Sequence, residues 1–480
     1  MFDIQFSSRL APKSVSIIPI YAGDSRSELR QTLEHFSPPQ KKAILQVLQS
    51  SRLPHKGHVP VYSAQALVLL FIIGKKTKTS RRDIRERGEE IFSLAKRYHL
   101  EELTIFSGSL SEENVRAFHE GIILGSYEFL QFKTKKNDND SSKNLKKIVF
   151  FGAKNTQEHD WLQALENSTR LTKDLVNLPP MAANPSYVVS TAEKIAKKYK
   201  KVSIKIFEMK ELEKLGFGGI VGVGKAGEEK PSLIILHYEG GKRGEAPIAL
   251  IGKGVTYDTG GLNIKTMSMR TMKQDIAGAA TVLGAFEALV LMGIQKNIIV
   301  VIPTAENAIS EESYRPDDVL TMYNGKTVEV TNTDAEGRLL LADALSYTEK
   351  NWKPRMMLTI ATLTGCCNYA VGHDITAILG NNKTLMETLK NSALAVDEPV
   401  WELPLHEQYK KYLKSNIADL VNSTKKFRAG TIEGGLFLEN FVSSKMPWCH
   451  LDIASVAFGD VSEMATGRNV RLLIDFVKRF

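Results

Sequence analysis

The sequence predicts an α/β protein of two domains, a small N-terminal α/β domain and a larger C-terminal α/β domain built on a central mixed sheet. Three observations predict it. Short apolar runs of strand length alternate with stretches of helical periodicity along most of the chain. At 480 residues the chain is too long for one ordinary core. Its 43% hydrophobic and 24% charged content is that of a globular protein, neither disordered nor fibrous.

In the N-terminal third, Val15 to Ile20 and Ala66 to Ile73 read as strands. Glu112 to Phe129 reads as a helix with Val115, Phe118, Ile122 and Ile123 on one face. Lys133 to Lys147, rich in lysine, asparagine, aspartate and serine, reads as an exposed mobile loop before the strand Ile148 to Phe151. Asn155-Thr156-Gln157-Glu158 resembles a helix cap. The helix it opens carries Leu162, Leu165, Thr169, Thr172 and Val176 and must end by Leu178, before Pro179-Pro180. These features divide the chain into a domain at 1–153, a connecting helix at 154–178 and a second domain at 179–480. In the second domain, helices at Ser190 to Tyr199 and Lys210 to Leu215 alternate with strands at Val202 to Phe207, Leu233 to Leu236, Ile248 to Ile251 and Ile298 to Ile302. A further helix starts from Asp275.

Several classes are disfavoured. The first residues lack the basic start and apolar core of a secretory signal. The apolar stretch Ile276 to Ile294 carries Glu287 and reads as a buried helix, so no membrane span is expected. Three cysteines, two of them adjacent, imply no disulfide framework and point to a reduced, cytoplasmic setting. Cys366 and Cys367, among small and apolar residues, read as buried. The net charge of +9 fits either a solvated surface or an acidic partner such as DNA. Gly222-Val223-Gly224-Lys225-Ala226-Gly227 matches a dinucleotide-binding pattern but is followed by Pro231 and a strand, where that function needs a helix. No GxSxG and no HExxH occurs, and His373, His406 and His450 stand alone as structural histidines.

Two clusters carry chemistry. Asn332-Thr333-Asp334-Ala335-Glu336-Gly337-Arg338-Leu339 packs two carboxylates and an arginine between apolar segments. In an extended backbone Asp334 and Glu336 point to one side. The other reading is a polar turn before a helix. The second cluster, Gly252-Lys253-Gly254-Val255-Thr256-Tyr257-Asp258-Thr259-Gly260-Gly261, begins as a strand and breaks into glycines, as a sheet does at a site on its carboxyl edge. Lys265 and Asp275 follow. Singly, they read as a surface lysine and a helix-start acid. Together, Asp258, Asp275, Asp334 and Glu336 would repel one another unless cations neutralised them, and two divalent ions would do so.

With these motifs, the chain resembles the leucyl aminopeptidase family of dinuclear metallopeptidases, the M17 peptidases. Supporting stretches are Asp174 to Pro180, Ala361-Thr362-Leu363-Thr364-Gly365 and His450-Leu451-Asp452-Ile453-Ala454. The resemblance implies that Lys253, Asp258, Asp275 and Glu336 bind one metal, and Asp258, Asp334 and Glu336 a second. The ions would be zinc, manganese, magnesium or cobalt. Lys253 would bind as the neutral amine. It further implies that a metal-bridging hydroxide attacks, that Lys265 steadies the oxyanion, and that Arg338 holds a bicarbonate acting as general base. Peptides with a free N-terminus would be the substrates, leucine the default first residue, and a homohexamer of two stacked trimers the assembly. DNA binding, known among bacterial members, is the alternative role. The sequence departs from the family in a slightly short loop, Thr266 to Gln274, in which Met272 is expected to line the pocket for the first side chain. It departs again in Ile276-Ala277-Gly278, in Cys366-Cys367, and in Ile432-Glu433-Gly434-Gly435, where the family is more apolar.

Overall fold

The computed structural model describes residues 3–8, 14–22, 24, 29–49, 53–63, 66–134, 145–152, 156–424 and 428–480. Asn155 and the central part of the predicted loop at 133–147 lie outside them. The chain divides into two compact units, Met1–Glu166 and Asn167–Phe480, and the division falls inside the helix Thr156–Asn177.

The first unit is a six-stranded sheet in the order Asp3–Ser7, Lys147–Phe151, Glu102–Ile105, Val15–Tyr21, Ala66–Gly74 and Gly57–Ser63. All neighbours are parallel except the last pair. The Ala66–Gly74 strand reads as a continuous apolar run, as it must when both faces are covered. The predicted helix from Glu112 ends at Gly125, short of Phe129.

The second unit is a mixed sheet of nine strands. Its middle consists of four parallel strands in the order Trp448–Asp452, Met356–Ala361, Ile248–Gly252 and Asn297–Asn307. Antiparallel strands flank them on both sides. The parallel arrangement sends four carboxyl ends to one edge, and Gly254–Asp258 pairs there with the far end of Asn297–Asn307. The helix Ala277–Leu291 is buried along almost its whole length, so its apolarity belongs to the core.

Some local expectations need correction. The helix predicted from Ser190 begins at Pro185, because the Asn184 side chain caps Tyr187 N and proline suits the first turn. Asp275 does not open the apolar helix. It sits in a preceding 3₁₀ segment, Met269–Ile276, which turns its carboxylate inward. The glycines at 218–224 form a short helix, where a Cβ at Gly219 would lie 2.4 Å from Leu339 O. Their role is close packing. Cys366 is exposed and only Cys367 is buried, its Sγ 3.5 Å from Ser455 Oγ, since the short helix Cys366–Val371 turns one neighbour outward and the other inward.

Candidate active site

The strand Ile248–Gly252 ends on Lys253, whose backbone N–H donates to Ile360 O at 3.0 Å in the neighbouring strand. Gly252 is required here, because a Cβ would stand 2.7 Å from Gly278 O on the apolar helix. The next strand delivers Asp258, whose Oδ1 accepts from Asn307 Nδ2 at 2.7 Å and Gly260 N at 2.9 Å. Gly260 and Gly261, at φ +88° and +61°, turn the chain back onto the Asn332–Glu336 segment. There Asn263 N donates to Thr333 Oγ1 and Thr333 N to Asn263 Oδ1, each at 2.7 Å. The two sequence clusters are thus fastened to each other by reciprocal hydrogen bonds.

Six of the seven predicted residues, Lys253, Asp258, Lys265, Asp275, Asp334 and Glu336, line one cavity of about 520 Å³. Lys253 Nζ lies 2.7 Å from Asp275 Oδ1, 2.9 Å from Glu336 Oε1 and 3.0 Å from Thr362 O. Lys265 Nζ lies 2.8 Å from Asp258 Oδ2 and 2.5 Å from Asp334 Oδ1. Burial pushes Asp258 above the usual carboxylate range, and Glu336 and Asp275 push it further. Asp275 is raised by burial too, and Asp334 by burial against the pull of Lys265. For Glu336, burial is outweighed by Lys253 and Lys265, and its pKa falls. Burial alone would lower both lysines, but the carboxylates around them win and hold both as ammonium ions.

This donor set fits divalent cations. One oxygen from each of Asp258, Asp334 and Glu336 falls within 4.8 Å of the others. Asp275 Oδ2 and Glu336 Oε2 are buried without a hydrogen-bond partner. Buried carboxylate oxygens without a hydrogen-bond partner in the protein are acceptors that a divalent cation can take as ligands.

Arg338, the seventh residue, lies beside the cavity wall. Its Nη1 donates to Asn422 O at 2.7 Å and to Glu433 Oε1 at 2.9 Å. The expected bicarbonate would therefore meet a guanidinium that already has an anion. The residues that position the site were missed in the sequence. Asp452 accepts from Leu363 N, Thr364 Oγ1 and Ala454 N at 3.1, 2.7 and 3.2 Å, fixing the wall from Thr362 to Gly365. Asn307 holds Asp258, and Tyr314 donates to Thr333 O at 2.6 Å. Asp452 stands in a quoted motif at the end of a strand, which was a usable signal. Asn307 and Tyr314 carried none.

Carboxylate oxygens and two lysines gathered on the carboxyl edge of a mixed sheet are the arrangement of a metal-binding site in an α/β protein. Residues 170–474 match the model of the cytosol aminopeptidase family catalytic domain, and residues 58–136 that of its N-terminal domain. The cytosol aminopeptidase of Pseudomonas aeruginosa is 36% identical over 424 residues, covering 85% of this chain and 84% of that protein. A protein of Hydrogenovibrio crunogenus named "probable cytosol aminopeptidase" is 40% identical over 367 residues, 76% of this chain and 73% of its own. The solved structure of the bottromycin maturation enzyme BotP in complex with Mn superposes with a TM-score of 0.83 at 26% identity, over 97% of this chain and 99% of that one. The chain belongs to the cytosol aminopeptidase family, whose members are metal-dependent aminopeptidases.

Proposed function

We propose that the cavity holds two divalent ions and removes N-terminal residues from peptides, with leucine-like first residues preferred. The observation that carries this reading is the pair of buried, unpartnered carboxylate oxygens, Asp275 Oδ2 and Glu336 Oε2, beside the Asp258, Asp334 and Glu336 cluster. Asp258, paired with Lys265, and Glu336, paired with Lys253, would serve both ions, as the family resemblance implies. Lys253 and Asp275 would complete one ligand set and Asp334 the other. When bound, such ions polarise the scissile carbonyl, anchor a free α-amine and activate a water.

The chain's own groups supply the rest. To hold an ion, Lys253 would have to be the neutral amine, its proton lost to solvent, and the contacts it makes with Asp275 and Glu336 would give way to that ion. Lys265, part-exposed at the cavity beside Asp258 and Asp334, would face the negative charge that develops on the carbonyl oxygen once ions took over those carboxylates. The wall from Thr362 to Gly365, fixed by Asp452, shapes the space for the first side chain, with Met267 and Met272 supplying apolar surface. Oxygen ligands suit manganese as well as zinc, and BotP's complex with Mn favours manganese.

The test is hydrolysis of leucine p-nitroanilide after chelation, with Mn²⁺, Zn²⁺, Mg²⁺ or Co²⁺ restored singly, beside the N-acetylated substrate. Activity should return with metal for the free amine alone, and Glu336→Gln should lose both bound metal and turnover. Equal cleavage of the acetylated substrate would refute the exopeptidase reading.

A further inference from the structure

We propose that Glu433 is the resident counter-ion of Arg338 and stands in this chain for the exogenous bicarbonate that the family resemblance implies. The proposal rests on the aminopeptidase reading for its meaning, but its geometry is independent of it. Arg338 Nη1 and Glu433 Oε1 are 2.9 Å apart, with only 6% and 5% of the two side chains exposed. A buried guanidinium needs one anion, and here it has one. The pair is fixed from both ends. Asn422 O accepts from the same Nη1 at 2.7 Å, and Thr424 N donates to the same Oε1 at 3.2 Å.

Glu433 is also well placed to stay. It lies in the first turn of the helix Gly430–Glu439, where the helix dipole favours an anion. That helix is tied to the cavity wall by Thr431 Oγ1 and Thr364 Oγ1, 2.8 Å apart. The next residue, Gly434, lies close to both: a Cβ there would stand 3.0 Å from Leu363 Cδ2 and 3.7 Å from Arg338 Nη2. Leu363 and Thr364 line the cavity, so the ion pair sits directly beside the reaction space. Through Oε1 the Glu433 carboxylate supplies the negative charge at Arg338 that bicarbonate would otherwise supply. A second anion would have to shed water against the Glu433 charge with no cation of its own from Arg338. Bicarbonate does not fit as the partner of Arg338, and the departure at Ile432-Glu433-Gly434-Gly435 is where the chain replaced it.

The test is calorimetric titration of bicarbonate into the metal-loaded protein in carbon-dioxide-free buffer, for wild type, Glu433→Gln and Glu433→Ala. Turnover of leucine p-nitroanilide is followed with and without bicarbonate. Wild type should give no saturable heat and no stimulation. The variants should give saturable heat, with an affinity at least ~tenfold above the weakest binding the titration can detect, and recover lost turnover when bicarbonate is added. Saturable binding by wild type with the affinity of Glu433→Gln, or stimulation of wild-type turnover, overturns the proposal. The wild-type titration decides the matter even if both variants misfold. Binding is read as heat, so a protein inactive on every peptide still reports whether Arg338 accepts the ion.

Discussion

Gly337 lies between the metal-ligand candidate Glu336 and Arg338, and replacing it with alanine tests the site without removing any ligand. A Cβ at this position would stand 2.5 Å from Lys253 Cε, 2.6 Å from its Nζ and 2.7 Å from its Cδ. Carbon atoms in contact are about 3.5–4.0 Å apart, so the lysine must retreat by about 1 Å. Its ammonium is held at 2.7 Å by Asp275 and 2.9 Å by Glu336. A retreat of that size carries it out of hydrogen-bond range of both. The loss of a buried pair costs about 3–5 kcal/mol and overpacking about 1–3 kcal/mol, partly the same energy, because the lysine absorbs the clash. The expected result is a folded protein with a lower melting temperature, one metal fewer per subunit by elemental analysis after dialysis, and turnover reduced by about a hundredfold or more. Wild-type metal content together with wild-type turnover in Gly337→Ala would refute the placement of Lys253 in the site.

Lys265→Ala should fold with reduced stability, since Asp258 and Asp334 lose their cation, and keep the metal, while kcat falls by about 10²–10³ with a smaller change in KM. A loss confined to KM would remove Lys265 from the chemistry. Asp343 gives a pH test at a residue that does not line the cavity. Burial pushes it from 3.8 up to about 7, against three backbone N–H bonds from Gly219, Ile220 and Tyr323. Between these values the folded chain keeps a proton that the unfolded chain has released. Stability therefore falls as pH rises through that window, by up to about 4 kcal/mol, and is level above it. Asp343→Asn carries no such proton. Its urea midpoint relative to wild type should improve from pH 5 to pH 7.5, and a constant difference would count against the shift.

The ligand candidates were legible because they stand in two contiguous stretches whose residue types are unusual for loops. The fold class was legible from alternating apolar runs, since buried parallel strands such as Ile248–Gly252 leave an unbroken apolar signature. What was not legible lies in contacts across long sequence separations. Glu433 meets Arg338 from 95 residues away, and Asp452 reaches Leu363 from 89. No local pattern encodes such pairings. Cys366 and Asp275 failed for a different reason. Composition reports the average environment of a segment, whereas exposure there depends on which way a short turn points each side chain. The Asn184-Pro185 cap was readable and shows that boundary errors are not all of one kind.

The charge balance of the site illustrates the difference between residue types and their arrangement. From the sequence, four converging carboxylates call for metal ions to neutralise them. Through space, each lysine sits against two of those carboxylates, Lys253 against Asp275 and Glu336, Lys265 against Asp258 and Asp334. Half of the negative charge is therefore balanced by the chain itself. This explains how so acidic a pocket survives folding before any ion arrives, since an uncompensated buried carboxylate is far more costly than a paired one. It also gives the lysines two successive tasks. Each would neutralise its carboxylates while the protein folds and, on the proposed reading, would leave them when ions bind, Lys253 as a ligand and Lys265 toward the substrate. On that reading a lysine at either position serves the metal-free state as well as the reaction, and replacing one should change folding and catalysis by separate amounts.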